Sequence, residues 1–68
     1  MKKLLKFYGF KTVEQYFDMC VESVINGQRA QAREQFKAMP KALKKQMCNY
    51  LNNQEHNKEY FNFFFNEL

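Results

Sequence analysis

The segment from Thr12 to Gly27 encodes its own start, apolar face and stop, and it constrains the fold more than any other stretch of the chain. Thr12-Val13-Glu14-Gln15 reads as a capping box: the Thr12 hydroxyl accepts the Gln15 amide, and the Gln15 side chain returns to the amide of Thr12. Behind it, Val13, Tyr16, Phe17, Cys20, Val21, Val24 and Ile25 recur at three- and four-residue spacing, which is one face of a helix. Glu14, Asp18, Glu22 and Ser23 fall on the opposite, wet side. Asn26-Gly27 supplies a left-handed stop. A helix over about residues 13–26 follows.

Further helices are predicted over about 28–38, 40–51 and 54–67. The first is rich in Ala, Gln, Arg and Glu, with a thin seam of Ala32, Phe36 and Met39. Pro40 suits a first helical turn because it has no amide to donate. Leu43, Met47, Tyr50 and Leu51 then share one face, and Asn52-Asn53 is turn chemistry. In the last segment Tyr60, Phe61, Phe64 and Leu68 mark a face flanked by Phe63 and Phe65. A strand over 61–65 is the competitor, but nothing else alternates to pair with it. Residues 1–11 form either a basic aromatic arm or a short helix ended by Gly9. The expected architecture is a single all-α domain, 1–68, of three or four helices.

A chain of 68 residues buries only about 60% of its unfolded surface, so it has room for one small core. Twelve Phe and Tyr must share it, and each buried ring covers roughly 150–250 Å². Phe17, Phe36, Tyr50, Phe61 and Phe64 are the natural core set. Phe7, Tyr8, Phe10, Phe63 and Phe65 are the surplus, grouped near the two chain ends. The two groups either pack on each other or leave a protein-docking patch.

Catalysis finds no support. Cys20 lies inside an apolar stripe, where a buried, inert thiol is expected. His56 stands in a polar, Asn-rich junction suited to a surface or capping role. One His and two distant Cys cannot close a zinc shell, and the two glycines are too few for a phosphate loop. Cys48 falls beside Lys41, Lys44 and Lys45, where neighbouring ammonium groups favour a reactive thiolate. The plainer alternative is a half-exposed residue at the core's edge. No metal, cofactor or small-molecule substrate is implied.

The net charge of +4 is unevenly placed. Lys2, Lys3, Lys6 and Lys11 stand in residues 1–11 without an acid, and Glu34 is alone among Arg29, Arg33, Lys37, Lys41, Lys44 and Lys45. Those six cations, on two consecutive helices, are candidates for phosphate or an acidic partner. The helix-turn-helix comparison is weakened by the short Met39-Pro40 junction without glycine. Lys6 breaks the only signal-like apolar run well short of the ~7–15 residues needed, and no run approaches the ~18 of a membrane span. The chain therefore reads as cytoplasmic, or as a virion component, with no membrane partner.

Residues 21–36, an ES-x-INGQ helix end followed by an Ala/Gln/Phe helix, resemble small accessory proteins of phages and mobile elements of gut bacteria. The resemblance implies an accessory role and brings no catalytic residue with it. The expected function is a non-enzymatic protein-interaction module, binding a protein partner or a second copy of itself. Nucleic-acid binding by the six cations is the alternative.

Overall fold

In the computed structural model, which describes residues 2–53 and 58–67, local capping chemistry divides the chain into five helices, with no strand among the described residues. They are α1 (Lys2–Tyr8), α2 (Val13–Ile25), α3 (Arg29–Lys37), α4 (Lys41–Asn52) and α5 (Lys58–Phe65). The chain is all-α as expected, but the helix count is five rather than three or four. The additional helix is α1, the helical one of the two forms open to the N-terminal segment. Residues 61–65 are helical too. The expected start of the last helix, and His56 with it, lies outside the described residues.

The helix ends show why. At α2 the Thr12 hydroxyl accepts the Gln15 amide at 3.3 Å, and Gln15 Oε1 accepts the amides of Thr12 at 3.2 Å and Lys11 at 2.6 Å. At its other end Gly27 takes φ +80°. The Gln28 amide donates to the Ser23 carbonyl and the Gly27 amide to the Val24 carbonyl, a Schellman stop. α1 ends in the same way: Gly9 takes φ +75°, the Phe10 amide donates to Leu5, and the Gly9 amide donates to Lys6. Pro40 sits just before α4, and its carbonyl accepts the amides of Leu43 and Lys44 at 3.0 Å.

Helices α2 and α3 pack as one pair, and α4 and α5 as another. The core between them is Tyr16, Phe17, Cys20 and Val21 of α2, Ala32 and Phe36 of α3, Met39 of the α3–α4 connection, Met47, Cys48 and Leu51 of α4, and Phe64 of α5. α1 adds only the half-buried Leu4 and Leu5. Phe17 meets Tyr50 at 5.5 Å between ring centroids, and Phe36 meets Phe64 at 5.2 Å. These two ring pairs tie the helix pairs together. Tyr50 and Phe61, expected in the core, are half-buried at its margin, while Tyr16 takes a central place.

Ser23 is a correction. Its side was expected to be wet, yet it is buried, and its hydroxyl lies 3.1 Å from the Met19 carbonyl and 2.9 Å from Gln35 Oε1. Gln35 is buried as well, and its carbonyl accepts the Tyr16 hydroxyl at 2.6 Å. The helical repeat of α2 leaves Ser23 at the edge of the apolar arc, and α3 closes over that edge. Ile25, expected on the apolar stripe, is instead largely exposed.

Two substitutions test these elements by urea denaturation. Gly27→Ala meets no atom within 4 Å, so its cost is the left-handed backbone alone, about 1–2 kcal/mol. Tyr16→Phe leaves the buried Gln35 carbonyl without its donor and costs about 1–3 kcal/mol. An unchanged midpoint in either variant would contradict the corresponding contact.

Candidate functional site

The six cations of α3 and α4 do not form one continuous free track. Arg33 Nε donates to Glu67 Oε1 at 2.7 Å, and its guanidinium lies 5.2 Å from the centre of the Phe63 ring. Lys44 is half-buried, with Nζ 5.9 Å from the centre of the Phe36 ring. Both contacts are within the ~6 Å at which a ring face attracts a cation. Arg29, Lys37, Lys41 and Lys45 are exposed. The α3–α4 connection, expected to be a tight Met39-Pro40 junction, spans the three residues 38–40 between the helices. Met39 is buried there and anchors the turn.

The aromatic residues divide differently from their sequence grouping. Phe7 is 80% exposed. Tyr8 is partly exposed, packing edge-on against Phe7 at 5.0 Å and Tyr16 at 5.7 Å, and stacking with Phe10 at 5.8 Å. Phe10 is half-buried against the core. At the other end Phe63 is half-buried between Phe64 and Arg33. Phe65 is 53% exposed and stacks on Phe61 at 5.3 Å.

Packing α5 against α4 brings part of the basic stretch and part of the C-terminal aromatic group to one place. An open cleft of about 270 Å³ runs between these helices, lined by Lys45, Cys48 and Asn49 of α4 and by Phe61 and Phe65 of α5. Its surface is almost wholly apolar. Lys45 and Asn49 are one helical turn apart and exposed, so an ammonium and an amide border an aromatic slot. The pairing of Lys45 with Phe65 was not evident in the sequence. The four-residue spacing of Phe61 and Phe65 was the available signal that these two rings share a face.

Neither form proposed for Cys48 describes it. It is buried, not half-exposed, and burial pushes its thiol above the ordinary value despite the nearby lysines. Desolvation of the thiolate sets that direction. Cys20 is fully buried, and desolvation raises it from 9.0 to about 12. Among the described residues, no three His, Cys, Asp or Glu side chains gather as a metal would require, and no helix is long and apolar enough to cross a membrane.

Set against known protein families, curated proteins and solved structures, the chain matches none.

Two consequences of the buried thiols can be measured. Both cysteines should react with a thiol reagent at neutral pH more slowly than free cysteine; labelling of Cys48 as fast as free cysteine would contradict its protonated, buried state. Folding also holds the Cys20 proton that the unfolded chain releases. Stability is therefore full below about pH 9 and declines as pH rises toward about 12. Cys20→Ala should make that alkaline decline shallower in pH-dependent denaturation.

Proposed function

We propose that this chain is a non-enzymatic interaction module that binds a protein partner through the cleft between α4 and α5. The observation that carries this reading is Phe65, half out in solvent on top of Phe61 and beside an apolar cleft. An exposed ring stacked on a half-buried one beside an apolar cleft leaves surface for a partner to cover, and aromatic residues are enriched at interfaces. The cleft offers no nucleophile paired with a base and no pair of carboxylates, so its chemistry is recognition. An accessory role for a phage or mobile element belongs to the same proposal and rests on the resemblance over residues 21–36. A second copy of the chain is one form such a partner could take.

Nucleic-acid binding is the second reading, favoured by the exposed Arg29, Lys37, Lys41 and Lys45 beside a three-residue interhelical turn. It ranks lower because Arg33 and Lys44, in the middle of the row, are held by Glu67, Phe63 and Phe36.

Affinity capture with the intact chain and with Phe65→Ser separates the two. The protein-partner reading expects a specific protein that survives nuclease treatment and is lost with Phe65→Ser. The nucleic-acid reading expects capture to vanish with nuclease, and affinity to fall with salt at a log–log slope of about −0.7 to −0.9 per phosphate contact. Charge reversal at Lys41 and Lys45 should then weaken binding whatever the state of Phe65.

A further inference from the structure

We infer that the partner element taken by the α4–α5 cleft is an acidic amphipathic helix, which seats one apolar side chain against the stacked rings of Phe61 and Phe65 and places carboxylates on Lys41 and Lys45. This rests on the protein-partner reading and adds the chemistry of the partner to it.

Size gives the first argument. The opening of about 270 Å³ lies just below the roughly 300–1,000 Å³ of small-molecule pockets. It suits the anchoring of a single side chain better than enclosure of a whole ligand. Its lining asks for an apolar anchor, since Phe61, Phe65 and the buried Cys48 offer almost no polar surface.

The rim gives the second. Lys41, Lys45 and Asn49 are all exposed and follow one another at four-residue intervals, forming a ridge on α4 with a repeat of about 6 Å. Lys45 and Asn49 also line the cleft. A partner helix laid along this ridge presents its own side chains at the same repeat. Carboxylates on one edge of its apolar stripe would then meet Lys45 and Lys41 while the stripe faces Phe65. A strand gains nothing comparable, because no sheet edge exists among the described residues to pair with it.

Charge gives the third. Among the described residues no acidic side chain lines the cleft, and the charged one that does is Lys45. Glu67, two residues beyond the end of α5, is engaged by Arg33. A basic or neutral partner helix would leave Lys45 without a counter-charge at the rim of an apolar contact.

The test uses the intact chain, isotope-labelled for amide spectra, and three fluorescent probes. These are a designed amphipathic helical peptide with leucine anchors flanked by glutamates, the same peptide with glutamines instead, and a single-stranded DNA oligomer. The expected result is that the glutamate peptide shifts the amides of Lys45, Asn49 and Phe65, and that the glutamine peptide binds the same residues about fivefold more weakly, as loss of two rim ion pairs implies. Lys45→Glu should weaken only the glutamate peptide, while Phe65→Ser should abolish both. Both positions are exposed, and unchanged far-UV circular dichroism checks that each variant is folded.

Equal binding of the two peptides through Phe65 would overturn the acidic-partner inference and leave the protein-partner reading standing. If neither peptide moves these amides, the inference and the reading both fall. Binding of the oligomer at the same residues in place of the peptides would overturn both in favour of nucleic acid.

Discussion

Phe36 and Phe64 meet at 5.2 Å, each fully buried, and the position of every residue in the cleft depends on that contact. Phe36 projects from α3 and Phe64 from α5, so the pair sets where α5 lies against the rest of the core. With Phe64 turned inward, the helical repeat directs Phe61 and Phe65 toward α4 and leaves Phe63 on the other flank, where Arg33 receives it. Lys44 of α4 also lies over the Phe36 ring. One ring pair thus joins three helices and divides the basic stretch into cations held by rings or acid and cations left in water.

A second constraint is polar. Tyr16, Ser23 and Gln35 are buried on the α2–α3 interface, and each finds a partner within the group or on nearby backbone. An unpaired polar group at such a site would cost more than the bond returns, so the network selects one register of α3 on α2. That register brings Phe36 to Phe64. Specificity in this small core comes from three satisfied polar groups as much as from its apolar surface.

The parts legible in the sequence are those decided within one helical turn. Thr12 with Gln15, and Asn26 with Gly27, bound α2 by contacts no more than five residues apart, and the structure reproduces both. Gly9 similarly ends α1. Ser23 and Cys48 were misplaced for one shared reason: each stands at the margin of its helix's apolar arc, where the neighbouring helix decides burial. The candidate cleft combines residues from two groups that sequence alone kept separate, the lysines of α4 and the rings of α5.

By itself the sequence determined the all-α class, the caps of α2, the shortage of core for twelve rings, and the concentration of cations in the middle of the chain. These follow from backbone hydrogen bonding, periodicity and counting, all local or additive. Only the tertiary structure decided which rings stay exposed, which cations are engaged, and that Lys45 shares a cleft with Phe65. Those outcomes depend on the angle and register at which α5 meets α4. Packing of distant side chains sets both, and helical periodicity carries no information about either.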